Sequence, residues 1–381
     1  MTPSPADTLL DRFAALKDPR QAWKVVYPLP EVMLLALCGT IAGAEDCVEI
    51  RRWGMVHLDF LRRLLPFAHG IPSHDTLNDI INALDASLFA ACFIEWVSGL
   101  ADTDPDIVAI DGKTSRRTHD HAKARNPLHL VSAWASRQRL VLGQQACEVK
   151  SNEITAIPLL LERLTLKGSL VSIDAMGCQT KIAQKILDKE ADYLLAVKSN
   201  WPNLYGEIER YFKDAPASEL EHHETTDGDH GRIEVRRLTV SHAVGFLNTN
   251  RRFPGEPRFP GLMAIAMVET EVERGGKISR ERRYYLCSRT ITAEAFAFAV
   301  RCHWHVENRL HWILDVTFHE DLNRLRSGDG PQNMATIRHM ALNLLQGAND
   351  RHSLKVRRKS PGLGHQVSRG YPPAKGMTLF K

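Results

Sequence analysis

The sequence predicts an α/β fold, a mixed β-sheet flanked by helices, with a β-rich insertion and an all-helical N-terminal domain. Three observations point there. Apolar residues recur at spacings of three and four up to about residue 100, β-branched runs then alternate with amphipathic stretches, and from about residue 201 to 290 the chain turns charged and alternating. At roughly 100–200 residues per domain, 381 residues suggest two or three domains. The expected division is a helical domain over 1–100, a sheet domain over 101–350 with its insertion at about 201–290, and a basic, flexible tail over 351–381.

Composition narrows the class. Hydrophobic residues make up 44% and charged residues 25%, which excludes a largely disordered or fibrous chain. The 49 Lys+Arg against 45 Asp+Glu leave a net charge of +4, so a polyanionic partner must be argued from where the cations sit. Seven scattered cysteines without a C-x-x-C pair fit reduced thiols and argue against a thiolate zinc site. The N-terminus lacks a signal pattern, and the apolar stretch Val32 to Ala44 falls short of the ~20 residues a bilayer needs. A cytoplasmic, soluble protein is expected.

In the N-terminal domain, Leu34, Leu35, Cys38 and Ile41, then Phe60, Leu61, Leu64 and Leu65, then Leu77, Ile80, Ile81 and Leu84 mark successive helices. Gly70-Ile71-Pro72-Ser73 ends one helix and offers Ser73 as N-cap to the next. This short turn suits either a DNA-reading helix-turn-helix or a structural bundle. Beyond Pro105, strands are expected at Ile107–Ile110, Leu128–Ser136 and Arg139–Val149, the last with a bend at Gly143. A helix at Ile154–Leu164, a strand at Leu170–Ile173, a helix at Gln179–Lys189 and a strand at Tyr193–Val197 follow. The insertion reads as strands Ile233–Val240, Leu262–Val272 and Arg280–Cys287. One long helix should span Thr292 to about Phe318, and Pro331 should open another that reaches Leu345.

Asp111 follows a fully apolar strand in AIDGKTSRR, and Asp174 repeats the arrangement in VSIDAMGCQ. Carboxyl ends of strands are where open α/β sheets place reactive groups, although each aspartate also suits a cap. On the long helix, Glu307 shares an i, i+4 face with His303, His311 and Asp315. A zinc reading of His303, Glu307 and His311 lacks the H-E-x-x-H spacing. Three carboxylates from distant parts of the chain suit Mg²⁺, and two such ions about 3.5–4 Å apart serve phosphodiester transfer.

These motifs resemble, in order, those of bacterial insertion-sequence transposases of the DDE superfamily, in the branch of the H-repeat-associated proteins. The matching segments include YPLPEVMLLALCGTIAGAEDCVEI, GIPSHDTL, AIDGKTSRR, LHLVSAWAS, KSNEITAIPLLL, IDAMGCQTKIAQKI, ADYLLAVKSN, HGRIEVRR and HWHVENRLHWILDVTFHEDLNRLRSGDGPQNMATIRHMALNLL, and run from Asp18 to Leu354. The resemblance implies an RNase H-like catalytic domain, an associated N-terminal domain, a homodimer on DNA, and Mg²⁺-dependent (or Mn²⁺-dependent) cleavage of element ends followed by strand transfer. It maps the acid triad onto Asp111, Asp174 and Glu307.

Departures from the family pattern pose questions. Where related enzymes carry Tyr-x2-Arg-x3-Glu-x6-Lys, this chain has Val300, His303, Glu307 and Leu314, which leaves phosphate binding to Arg301, His303, His311, Arg324 or Arg326. Trp201 replaces a family glutamine after Lys198 and Asn200. The stretch SPGLGHQVSRGYPPAKGMTLFK lacks the helical continuation the family leads one to expect and resembles a frame change or truncation. Lys113, Arg116, Arg117, Lys198 and Asn200 are candidate phosphate contacts. Trp201 is a candidate for stacking on a base or for covering the core edge. Arg232, Glu234 and Arg236 alternate on one strand face, as DNA contacts or as a salt-bridge ladder. A nuclease that does not transpose and a silent DNA-binding remnant are the competing functions.

Overall fold

Capping side chains set the boundaries of the N-terminal helices. The computed structural model describes residues 5–102, 104–119, 126–147, 152–198, 200–229, 232–248, 258–347 and 351–359. Its first elements are α1 (Pro5–Ala15), α2 (Leu29–Ile41), α3 (Cys47–Val56), α4 (Leu58–Leu61), α5 (His74–Ala83) and α6 (Ala86–Leu100). The Asp46 carboxylate accepts from the Glu49 amide to start α3, the Ser73 hydroxyl from Thr76 to start α5, and Asp85 from Ser87 and Leu88 to start α6. α2 has Pro30 in its first turn, where no amide partner is lost, and is buried from Val32 to Ile41.

The chain continues through β1 (Ile107–Ser115), β2 (Leu128–Ala135), β3 (Leu140–Ala146), α7 (Glu153–Arg163), β4 (Leu170–Ile173), α8 (Thr180–Asp188), β5 (Asp192–Val197) and α9 (Pro202–Asp214). β6 (Glu221–Asp229), β7 (Arg232–Ser241), α10 (Gly245–Asn248), β8 (Ala264–Arg274) and β9 (Lys277–Cys287) follow. The last elements are α11 (Ala293–His305), a π-helical turn (Val306–His311), α12 (Trp312–Val316), α13 (Gly330–Gly347) and α14 (Leu354–Lys359). Among the described residues nine strands form one mixed sheet in the order β3-β2-β1-β4-β5-β9-β8-β7-β6. No single described helix is long and apolar enough to cross a bilayer.

Two units, each discontinuous in sequence, divide the chain. One comprises residues 1–104, 112–150 and 307–381; the other comprises 105–111 and 151–306. The chain changes unit at Asp111/Gly112 and again at Val306/Glu307.

In the second unit, β1 runs parallel to β4 with Ile107↔Leu170 through Ile110↔Ile173, and β4 runs parallel to β5. β9 pairs antiparallel with β5, so the expected insertion extends the central sheet through β8, β7 and β6. α11 seals one face of this sheet: Phe296, Ala299 and Val300 pack in one core with Leu170, Leu194, Leu238, Val240 and Tyr285.

In the first unit, β2 and β3 form a hairpin whose register slips beside Gly143, at the expected bend. α13 is buried along most of its length. Its asparagines serve the backbone of other elements. The Asn343 amide exchanges two hydrogen bonds of 2.9 Å with Val141 of β3, and Asn333 Nδ2 donates at 2.8 Å to both Ile81 O and Leu84 O at the end of α5.

Several expectations need correction. The insertion opens on helix α9, which presents Leu204, Ile208 and Phe212 inward. Strand β6 lay unrecognised because EHHETTDGD has no apolar alternation. The long helix is broken by the π-helical turn, and the basic tail begins with α14, where Arg358 is buried. Its guanidinium donates to Thr317 O and Thr40 O and lies 4.3 Å from the Phe318 ring. Residues 360–381, the remainder of the tail, lie outside the described residues.

Asn333→Ala should destabilise the protein by about 3 kcal/mol, because two buried carbonyls at the end of α5 would lose their donor. Urea denaturation of the two proteins checks the value.

Candidate functional site

Pairing of β1 with β4 ends at Ile110↔Ile173, and the next residue on each strand is an aspartate. Asp111, within β1, and Asp174, just past β4, therefore sit at the same level of neighbouring parallel strands, on backbones about 4.8 Å apart. Both are half-buried. Their carboxylates are the hard oxygen donors that a divalent cation such as Mg²⁺ takes. Among the described residues, no group of three or more His, Cys, Asp or Glu side chains gathers as a metal site.

The loop after β4 is held from inside and outside. Asp174 Oδ1 accepts from the amides of Met176 at 3.0 Å and Gly177 at 3.4 Å. A Cβ on Gly177 would sit 2.3 Å from Ile173 Cγ2, so the tight return requires glycine. From beyond β5, Asn200 Nδ2 donates to Ala175 O at 2.7 Å and Trp201 Nε1 donates to Cys178 O at 2.6 Å. Lys198, from the same turn, is exposed.

Helix α11 delivers His303 onto the sheet. Its Nδ1 shares a hydrogen bond of 3.1 Å with Ser172 Oγ, two residues before Asp174. Burial holds the imidazole below its ordinary pKa, and the Asp174 carboxylate offsets this only in part. Four residues later in the chain, Glu307 is exposed in the π-helical turn. The i, i+4 face expected for His303, Glu307, His311 and Asp315 presumes uninterrupted α winding, which this turn lacks.

In the first unit, Lys113 lies two residues beyond Asp111 and is engaged internally. Its side chain is only 10% exposed, with Nζ 2.7 Å from Asp315, 3.0 Å from Glu320 and 3.6 Å from Asp321. Burial alone would lower its pKa, but the Glu320 and Asp315 carboxylates outweigh it and raise the ammonium above its ordinary value. Glu320 is fully buried; burial pushes its carboxyl up, while Lys113 and Arg338 pull it to a net position below the usual range. Burial raises Asp315 despite Lys113. Nothing in the periodicity marked Glu320, because its partners lie some two hundred residues away in sequence.

The remaining candidate cations divide by their surroundings. Arg116 is largely exposed and pairs with Asp321 at 3.3 Å. Arg326 Nε donates to Arg117 O, and the side chains of Arg117 and Arg324 are exposed. His311 is half-buried near Lys113. In the second unit, Arg232 pairs with Glu234, Glu234 with Arg236, and Asp227 at 2.7 Å with both Arg236 and Arg301. This is the salt-bridge ladder of the two readings, running across β7, β6 and α11. Arg283 stacks 4.8 Å over the Trp304 ring.

Comparison with known proteins gives concordant matches. The family pattern described as "Transposase DDE domain" matches residues 83–344, and "DDE_Tnp_1-associated" matches residues 10–97. The chain is 38% identical over 341 residues to "H repeat-associated putative transposase YhhI" of Escherichia coli (strain K12), covering 88% of this chain and 90% of that protein. It is 39% identical over 366 residues to "Putative transposase YncI" of Escherichia coli O157:H7, covering 93% and 92%. A shorter relative, "Inactive transposase YbfQ" of Escherichia coli (strain K12), is 42% identical over 74 residues, 19% of this chain and 88% of that protein.

Acid should weaken the first unit through its buried imidazoles. Burial, reinforced by the charge of Lys113, pushes His311 and His339 each down to about 4. In the unfolded chain they titrate near 6.5, so between about pH 6.5 and pH 4 the unfolded state holds protons that the folded state lacks. Their contribution is complete above this window and is lost as pH falls through it. Urea midpoints measured from pH 7 to pH 4.5 should fall, and His339→Gln should flatten the slope.

Proposed function

The chain belongs to the family of transposase DDE domain proteins, and from this premise we propose that it is a DNA transposase. In this reading it cleaves phosphodiesters at the ends of a mobile element and joins the freed ends to target DNA. Asp111, Asp174 and Glu307 are the proposed carboxylates. One observation carries the assignment. The chain on either side of Glu307 is anchored within two residues of an aspartate: upstream, His303 bonds to Ser172 beside Asp174, and downstream, Asp315 pairs with Lys113 beside Asp111. At about 1.5 Å rise per helical residue, the four residues from His303 to Glu307 span only about 6 Å.

The three carboxylates would hold divalent cations, Mg²⁺ or Mn²⁺, which when bound supply charge neutralisation at phosphorus. The chain's own groups do the positioning. Ser172 fixes His303 and hence the end of α11, while Lys113 fixes the segment from Asp315 to Asp321. The exposed side chains of Lys198, Arg116, Arg117 and Arg324 are available to phosphate oxygens, where they would fix register without reading sequence.

The chemistry balances without a cofactor-borne group. In cleavage a water oxygen attacks phosphorus and the bond to the 3′ oxygen breaks; the proton the water loses is matched by one the 3′ oxygen takes up, which leaves a 5′-phosphate and a free 3′-hydroxyl. In joining, that hydroxyl attacks a target phosphorus and displaces the target's own 3′ oxygen, so one phosphodiester forms for each one broken. Two element ends must be held together for this, which implies at least two copies of the chain on DNA.

Asp111→Asn, Asp174→Asn and Glu307→Gln should each lower cleavage of a duplex bearing any inverted repeats found to border the gene by more than roughly 100-fold, beyond the cost of losing an outer partner of a metal ligand. Binding of the same duplex in a gel-shift assay should persist. Joined products with the wild-type chain distinguish a transposase from a nuclease. Binding without any cleavage would support the silent DNA-binding alternative.

A further inference from the structure

We propose that Asn200 and Trp201 are positioning residues for Asp174 and not contacts to DNA. The inference rests on the proposed catalytic reading of Asp174, but its structural half can be tested apart from it.

The turn after β5 and the loop after β4 leave adjacent parallel strands, and two side chains bridge them. Each donates to a backbone carbonyl of the segment Ala175–Cys178. That segment supplies the two amides that grip Asp174 Oδ1, at Met176 and Gly177. Asp174 Oδ2 accepts no hydrogen bond among the described residues. One oxygen is therefore fixed by the loop, which sets the orientation of the carboxylate.

The clamp has no slack on its inner side. Cys178 is fully buried, Ala175 is 5% exposed, and Gly177 is packed too closely on Ile173 to admit a Cβ. On its outer side the two donated bonds hold the loop. Trp201 Nε1 is the indole's single donor, so while it serves Cys178 it cannot serve a phosphate. Pro202 then starts α9 directly behind, and the Tyr205 amide donates to Trp201 O, which fixes the tryptophan backbone from the helix side. An aromatic ring after an exposed lysine reads from sequence as a stacking platform. Its position in the fold makes it a strut.

A loosened loop would leave DNA affinity intact and impair the step at phosphorus, since misplacement by about 1 Å can cost roughly 100-fold in rate. The test uses Trp201→Phe, which keeps the ring and removes the donor, Asn200→Ala, and Asn200→Ser as a short donor that could partly restore the bond.

Hydrogen exchange of the full-length protein should show faster exchange at the Met176 and Gly177 amides in Trp201→Phe and Asn200→Ala, with the strand amides of Leu170 to Ile173 unchanged. Single-turnover cleavage of the inverted-repeat duplex should fall roughly 10- to 100-fold, with the DNA dissociation constant within about two-fold of wild type. Asn200→Ser should lie between wild type and Asn200→Ala in both measurements. Unchanged exchange at Met176 and Gly177 would overturn the proposal whatever the activity, as would a loss of DNA affinity as large as the loss of rate. If the wild-type chain cleaves nothing while exchange responds as expected, the positioning role stands and the catalytic reading of Asp174 fails.

Discussion

The register between β1 and β4 is the constraint on which the candidate site depends. Parallel strands tolerate no slip of one residue without sending every side chain to the opposite face. Here the buried runs Ile107–Ile110 and Leu170–Ile173 fix the pairing on both sides. Asp111 and Asp174 are a by-product of that packing: the hydrophobic run stops on both strands at the same level, and a carboxylate follows on each. Loop and helix contacts then refine a placement that the core has already made.

Charge is used differently in the two units. In the first, the Lys113 ammonium is withdrawn from water and matched by Asp315, Glu320 and Asp321, with Arg338 supporting Glu320. A buried set of this kind adds little net stability, yet losing one partner typically costs about 3–5 kcal/mol because the remaining charge is stranded. It therefore acts as a register device between β1 and the chain after α12. In the second unit, the arginines of β7 and α11 pair near the surface with Asp227 and the half-buried Glu234, where the exposed bridges are worth at most about 1 kcal/mol. A polyanion competes easily for cations held so weakly and hardly at all for Lys113.

Much of this architecture was legible in the sequence. Strand β4 begins and ends where its apolar run does, the Ser73 cap starts α5, and the bend at Gly143 coincides with a slip in register. Local pattern says least where partners come from far along the chain. Lys113 looks like a phosphate contact until the carboxylates of residues 315–321 fold over it, and Arg358 looks like part of a solvated tail until carbonyls at Thr40 and Thr317 receive it. Trp201 and Asn200 likewise offer their donors to main-chain oxygens that no local pattern reveals. Strand β6 is an edge strand, and its polar composition carries no period-two signal because one neighbour, not burial on two faces, defines it.

The π-helical turn at Val306–His311 holds one residue more than α winding would place there. Loss of a single codon inside it would keep the reading frame and remove that one residue. With that residue gone the turn would return to α winding: Asp315 and the later side chains would keep their faces, while the residues inside the turn, Glu307 among them, would be re-aimed. Chain length inside the turn thus sets where Glu307 is aimed, independently of the contacts that hold His303 and Asp315 on either side.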